Sequence, residues 1–156
     1  MKHYSIEEVF QFARRIEENG ADLYQLLAVK FKDDTKMAAF FTQLAREEAE
    51  HDTLFERMAA EVMKTREREP LDELEERYLR VFAADAVFDK EALAHQVATL
   101  DSLDDALNFA IGCERAAVAY YIKMKEWVDV EHHPMLQRLI SEELGHEAAL
   151  RSLKIK

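Results

Sequence analysis

The sequence predicts an all-α protein: a bundle of four long helices, paired as two antiparallel hairpins and joined by one long crossover with short helices of its own. Three observations carry this. Only three glycines and two prolines occur in 156 residues, and 49% of the chain is hydrophobic with Ala, Leu, Glu, Lys and Arg prominent, a balance that favours helix. Strand-like alternation is absent, and apolar residues recur instead at alternating three- and four-residue steps. The second half of the chain also repeats the pattern of the first. A chain of this length can bury one core and is short for two, so one domain over residues 1–156 is expected.

The first long helix starts at Ser5, where Ser5 and Glu8 form an S-x-x-E capping box, and runs to about Phe31 before "KFKDDT" breaks it. The second begins near Asp34 or Thr35 and passes Val62 to reach "KTREREP", where Pro70 disfavours helical geometry at the residue before it. Ser102, with Asp105 three residues on, opens the third, which ends near Trp127; Pro134 suits the first position of the fourth, where its missing N–H costs nothing. The short links within each pair make hairpins. Between the second and third long helices, residues 68–101 can run back along the whole bundle, with room for minor helices near Leu71–Phe82 and Asp89–Ala98.

Each long helix has an apolar seam, and each seam is interrupted near its middle by a carboxylate. The first reads Phe10, Ala13, Glu17, Gly20, Tyr24, Leu27; the second Phe41, Leu44, Glu48, His51, Phe55, Met58. The third reads Leu107, Ala110, Glu114, Ala117, Tyr121, Met124, and the fourth Leu136, Leu139, Glu143, His146, Leu150. Glu114, Glu143 and His146 follow Glu17, Glu48 and His51 by 97, 95 and 95 residues, an internal pseudo-two-fold. Ionised carboxylates gathered in a low-dielectric core would repel and lose hydration, so on their own they would raise their pKa values or disrupt the bundle. A pair of bound divalent cations removes the difficulty, because two such ions balance four glutamates while two neutral imidazoles complete the ligand set. Residues at i and i+3 share a helix face, so Glu-x-x-His delivers a carboxylate and an imidazole to one ion. The expected metal ligands are therefore Glu17, Glu48, His51, Glu114, Glu143 and His146. One Glu from each of two helices and a Glu-x-x-His from each of the others is the ligand pattern of ferritin-like di-iron bundles.

Some assignments stay open at this point. Glu47 and Glu142 lie four residues before the histidines and could also reach them, while Glu18 shares a polar stripe with Gln11, Arg14 and Gln25 and looks solvated. Gly20, Gly112 and Gly145 fall within three residues of a proposed ligand, which suggests close helix approach or small-molecule access. His3, His95, His132 and His133 lack seam partners and are expected at the surface, as are the acidic runs "DELEER" and "REEAE" outside the seam. Cys113 reads as a buried small hydrophobe.

A formal net charge of -11 argues against a nucleic-acid or anionic-membrane partner, since phosphate binding needs clustered Lys and Arg. One cysteine cannot make an internal disulfide or a C-x-x-C knuckle pair, so a reducing cytoplasm is the expected compartment. The stretch "MKHYSIEEVF" has no apolar h-region, and no run approaches the roughly 18 apolar residues of a membrane span.

With "EENGADLY" (Glu17 to Tyr24), "EAEH" (Glu48 to His51), "ERAAVAYY" (Glu114 to Tyr121) and "ELGH" (Glu143 to His146) in view, the chain resembles the rubrerythrin-like branch of the ferritin-like di-iron carboxylate superfamily. The resemblance implies two iron ions, with manganese or zinc possible in the same place, and a non-haem oxidoreductase active on hydrogen peroxide or dioxygen in defence against oxidative stress. It also implies that Tyr24 and Tyr121 hydrogen-bond ligand carboxylates across the bundle, and that the protein assembles as a homo-oligomer such as a dimer. Two departures stand out. The four-cysteine rubredoxin domain of full-length rubrerythrins is missing, so electrons must come from an external donor such as a rubredoxin or a reductase. Their usual extra glutamate, three residues after the third-helix ligand, is Ala117 here. A non-catalytic iron-binding or storage protein of the ferritin type is the alternative reading.

Overall fold

In the computed structural model, which describes residues 6–65, 71–86 and 88–154, the expected bundle is present. Its long helices are α1 (Ile6–Lys30), α2 (Thr35–Thr65), α5 (Leu103–Trp127) and α6 (His133–Lys154), and the crossover carries α3 (Glu73–Ala86) and α4 (Lys90–Ala98). Ser5 and Pro70, which the capping box and the second helix's end invoke, lie outside the described residues. Asp34 caps α2 by accepting from Met37 N at 3.1 Å. Ser102 caps α5 in the same way through Asp105 N, as its spacing predicts. The fourth long helix begins one residue before Pro134, because a 3₁₀ turn at Val130–His132 leads into it and His133 already has helical backbone angles (φ -61, ψ -40).

Two apolar clusters fill the bundle, one at each end. The first takes Val9, Phe10 and Ala13 from α1, Phe55, Met58 and Val62 from α2, Tyr120, Tyr121 and Met124 from α5, and Leu136, Leu139 and Ile140 from α6. The second takes Leu23 and Leu27, Phe41 and Leu44, Ala106, Leu107 and Ala110, and Leu150 from the same helices, with Leu93 and Val97 of α4. Every long helix thus passes from one cluster to the other. The order in which each does so makes α1 antiparallel to α2 and α5 antiparallel to α6, while α2 and α5 run the same way. The end of α2 and the start of α5 therefore lie at opposite ends, and the crossover must travel the length of the bundle. It does so over the face of α1 and α5: α4 packs on α1, and α3 on α5 and α1.

The acidic run "DELEER" is not wholly solvated as expected. Glu76 is buried, with Arg80 Nη2 3.7 Å from its carboxylate, because α3 rests on the bundle and turns one of its faces inward. His132 is also buried, against the expectation of a surface position, since the 3₁₀ turn folds it under the bundle end. His95 is exposed and His133 is half-buried, its ring Nε2 3.2 Å from the Val128 carbonyl; His3 lies outside the described residues.

Candidate metal centre

Between the two apolar clusters lies a polar layer made of the six seam residues. Glu17, Glu48, His51, Glu114, Glu143 and His146 are all buried, and Glu17 and Glu143 are 0% exposed. The helical periodicity that turns the apolar seam inward carries these side chains to the axis at one level. His51 Nδ1 lies 2.8 Å from Glu143 Oε1, 3.4 Å from Glu17 Oε2 and 3.9 Å from Glu48 Oε2. On the other side His146 Nδ1 is 3.1 Å from Glu48 Oε1, 3.1 Å from Glu143 Oε2 and 3.4 Å from Glu114 Oε1. The two imidazoles face one another with centroids 5.8 Å apart and planes 16° from parallel.

These groups divide into two overlapping quartets. Glu17, Glu48, His51 and Glu143 bring one ligand atom each to within 4.8 Å of the others, and so do Glu48, Glu114, Glu143 and His146. Glu48 and Glu143 belong to both. One carboxylate with two oxygens can face two ions, so the arrangement has two bridging positions and, at each end, one terminal glutamate and one histidine. Around a tetrahedral zinc ion with nitrogen and oxygen ligands at about 2.0–2.2 Å, ligand atoms sit about 3.3–3.6 Å apart, so side-chain movements of about an ångström would enclose an ion. Glu17 Oε2 is a buried acceptor with no hydrogen-bond partner, a group that a cation would satisfy. Mixed carboxylate and imidazole ligands suit iron, manganese and zinc.

The tyrosines act across the hairpins. Tyr24 of α1 donates to Glu114 Oε1 on α5, and Tyr121 of α5 donates to Glu17 Oε1 on α1. At Glu17 the hydroxyl fixes Oε1 and leaves Oε2 toward His51, whereas at Glu114 the same Oε1 accepts from Tyr24 and faces His146.

Glu47 and Glu142 hold the far side of the histidines, which spacing alone did not settle. Each reaches the histidine of the opposite helix rather than its own: Glu142 Oε2 lies 2.7 Å from His51 Nε2, and Glu47 Oε2 lies 2.9 Å from His146 Nε2. Glu47 therefore does not sit on a free solvated face, as its place in "REEAE" suggested. The signal that could have found this pair was the repeated Glu-Glu-x-x-His, in which both glutamates recur at the same offset. With Nε2 bonded outward, the Nδ1 nitrogens are left for the centre. Arg138 Nε, 3.2 Å from Glu142 Oε1, anchors the Glu142 end. Although partial burial opposes it, His51 and Arg138 hold Glu142 below the usual carboxylate range.

Crowding of charge shifts the inner groups. Burial, followed by the charges of Glu17 and Glu143, raises the Glu48 carboxyl well above its ordinary value. Burial and then Glu143 push Glu114 up to about 8. Burial works against charged imidazoles, but Glu143 and Glu17 outweigh it and push His51 up to about 11; Glu114 and Glu143 likewise push His146 up to about 10.

Gly20 allows Glu48 its place. A Cβ on Gly20 would stand 3.1 Å from both Glu48 Cδ and Oε2, tighter than ordinary contact. Gly112 and Gly145 do not repeat this: a Cβ on either would meet nothing within 4 Å, so neither marks a close helix approach. Cys113 is half-buried beside the second apolar cluster, and burial, followed by Glu114, pushes its thiol up to about 12. Glu18 is exposed, as its polar stripe predicts.

A family model described as Rubrerythrin matches residues 8–154. Among solved structures, one assigned as a ferritin-like diiron-carboxylate protein of Thermotoga maritima is similar, with a TM-score of 0.75 at 21% sequence identity; the match covers 100% of this chain and 98% of that one. At that identity the likeness shows the shared fold. No protein with a curated description matches the chain.

Proposed function

The chain belongs to the rubrerythrin family, and from that premise we propose that it is a di-iron oxidoreductase that reduces hydrogen peroxide or dioxygen with electrons from an external donor. The observation that carries this reading is the pair of buried quartets sharing Glu48 and Glu143. Glu17 with His51 and Glu114 with His146 would hold one ion each, and Glu48 and Glu143, which belong to both quartets, would be shared between them.

A bound iron pair would supply two electrons, which with two protons take peroxide to two waters or dioxygen to peroxide. The protein's own groups do the rest. Glu142 and Glu47 accept the Nε2–H protons of His51 and His146, which fixes each ring's tautomer and aims Nδ1 inward. Tyr24 and Tyr121 restrain Glu114 and Glu17 so that these carboxylates cannot swing away into the apolar layers. Those layers, closed by Tyr24, Phe41, Phe55 and Tyr121, keep bulk water from the centre and strengthen electrostatic contacts within it.

A rubredoxin or a reductase suits the role of donor, in a reducing cytoplasm. Among the described residues no helix is long and apolar enough to cross a membrane. The test is anaerobic loading with ferrous iron, metal analysis, and stopped-flow absorbance on mixing with peroxide or with dioxygen. Two irons per chain and rapid oxidation by either reagent are expected; two bound irons that neither reagent oxidises would overturn the enzymatic reading. An assembly taking up many irons per chain would favour storage instead.

A further inference from the structure

Tyr121, which donates to Glu17 in the carboxylate layer, is the inner end of a file of rings that leads out to α3. Its ring centroid lies 6.1 Å from that of Tyr120, Tyr120 lies 6.2 Å from Trp127, and Trp127 lies 6.0 Å from Tyr78. Tyr120 and Tyr121 are 0% exposed and Trp127 is 5% exposed, whereas Tyr78 is only half-buried and so touches solvent. We infer that this file is a one-electron relay: when an oxidising equivalent is left in the metal layer with no donor electron to meet it, Tyr121, Tyr120, Trp127 and Tyr78 carry it to the protein surface. The inference rests on the oxidoreductase reading and adds to it an exit for oxidant that the external donor does not quench.

Composition and geometry both point this way. Phenol and indole rings give up an electron readily, and the phenyl ring of phenylalanine does not. Each centroid separation falls within the about 4.5–7 Å of rings in contact, so no step has to cross a layer of aliphatic side chains. The two halves of the bundle differ in this respect. Tyr24 bonds Glu114 as Tyr121 bonds Glu17, yet the positions 97 residues before Tyr120 and Trp127 are Leu23 and Lys30. Beyond Tyr24, among the described residues, come Phe41 at 6.1 Å and then Phe31 and Phe40. Phenylalanine would satisfy packing at both ends of the bundle, but only the Tyr121 end is lined with rings that can be oxidised.

Electrons and protons balance along the file. Tyr121 gives one electron to the oxidant and its phenolic proton to Glu17 along their hydrogen bond. An electron from Trp127, passed through Tyr120, restores Tyr121, and the proton returns to it. The Tyr120 hydroxyl donates to the Val9 carbonyl at 2.7 Å, an oxygen too weakly basic to keep a proton, so Tyr120 passes the electron on without resting as a neutral radical. Tyr78 then refills Trp127, loses its proton to water, and is restored by a hydrogen atom from a small thiol in solution. Lys123 Nζ lies 5.4 Å from the Tyr78 centroid and 6.0 Å from that of Trp127, but it is paired with Glu126 at 2.7 Å. The rings therefore meet a balanced pair of charges and not a bare cation, which would oppose their oxidation.

Trp127 is the chain's one tryptophan, so the outer half of the file can be read without metal or turnover. Azide radicals made by pulse radiolysis oxidise indole preferentially. In the metal-free protein the indolyl absorption should then give way to tyrosyl absorption at a rate independent of protein concentration, and Tyr78→Phe should remove most of that conversion. The inner half is read in iron-loaded protein mixed with hydrogen peroxide, with a nitroso spin trap and no electron donor, the trapped residue being located by mass spectrometry. The adduct is expected on Tyr78, and Trp127→Phe should lose it there and leave it on Tyr120 or Tyr121. Tyr120→Phe interrupts the file at another ring should Trp127→Phe fold poorly. No indolyl-to-tyrosyl conversion, a conversion that Tyr78→Phe leaves unchanged, or a Tyr78 adduct that survives both interruptions would overturn the inference. If peroxide and dioxygen both fail to oxidise the iron-loaded protein, the oxidoreductase reading falls and the exit role with it, whereas the radiolysis result still decides whether these rings pass an electron.

Discussion

Tyr121 donates its hydroxyl to Glu17 across the bundle, and it is the partner of only one of that carboxylate's two buried oxygens. The other, Oε2, has no hydrogen bond and points toward His51 Nδ1 at 3.4 Å. Tyr121→Phe would leave both oxygens of a fully buried carboxylate without a donor. Loss of a hydrogen bond to a buried charged group costs about 1–3 kcal/mol, so the metal-free variant should melt several degrees lower. Metal affinity should fall about 10–100-fold at one site of the pair, as is typical when an outer partner of a ligand is removed. Isothermal titration with manganese, beside a melting curve of the metal-free variant, checks both. Tyr24→Phe should act in the same way on Glu114, at the other site.

Without bound metal, protons offset the charge of the buried cluster. Glu48 is raised well above its ordinary value, and with Glu114 at about 8, His146 at about 10 and His51 at about 11 the last three groups carry protons at neutral pH. Binding two divalent ions must displace these protons, so about three protons per chain should be released, measurable from the buffer dependence of the binding enthalpy. The sign for stability follows from the same shifts. All four groups hold protons more tightly folded than unfolded, so their contribution to the metal-free protein is present at low pH and lost as pH rises. For Glu114 the loss spans 4.5 to about 8, and for the histidines it spans 6.5 to about 10 or 11. Metal binding runs the other way. The gap in melting temperature between metal-loaded and metal-free protein should therefore widen between pH 6 and 8; a constant gap would count against this account.

Gly20→Ala tests whether the position of Glu48 matters. The added methyl would lie 3.1 Å from the Glu48 carboxyl carbon and must move that side chain by a few tenths of an ångström. Helix propensity favours the substitution by about 0.5–1 kcal/mol, so the fold should persist with unchanged helical circular dichroism. Because Glu48 belongs to both quartets, affinity should fall at both ion positions, by about tenfold. Retained affinity would mean that Glu48 is not held in place by this contact. Gly112→Ala and Gly145→Ala, which meet open space, are the controls and should leave metal binding unchanged.

The positions of the six inner residues were legible because a buried stripe leaves no room for unexplained charge. Glu17, Glu48, Glu114 and Glu143 each interrupt an apolar seam, and helical periodicity decides which way they face. Tyr24 and Tyr121 were legible for a related reason, since each lies two turns from its glutamate on the same face. What stayed hidden depends on distances between helices. Spacing within a helix says that Glu142 is one turn from His146, yet the separation of α2 and α6 gives it to His51. Burial of His132 and Glu76 was hidden similarly: the first sits in a 3₁₀ turn outside any seam, and the second on a crossover helix whose inward face only its docking on the bundle determines. The helical periods carry no information about either.

That exchange of partners yields the sharpest test of the outer layer. If Glu142 supports the histidine of the opposite helix, Glu142→Gln should perturb His51 and leave His146 largely untouched. The amide can still accept from His51 Nε2–H, so geometry is kept while the charge that makes the ring more basic is lost. Metal affinity should fall about 10–100-fold at the site formed by Glu17 and His51 alone. Arg138→Ala should produce a smaller change of the same kind, because it frees Glu142 Oε1, which lies 3.2 Å from the guanidinium, without removing the charge. Nitrogen-resolved NMR of the imidazole rings in the metal-free protein separates the two histidines. In Glu142→Gln the His51 Nε2 resonance should shift and its pKa should fall modestly, since Glu143 and Glu17 still hold it up, while Glu47→Gln should do the same to His146. A Glu142→Gln spectrum in which His146 moves and His51 does not would show that each glutamate serves its own helix, and the cross-helix clamp would be wrong.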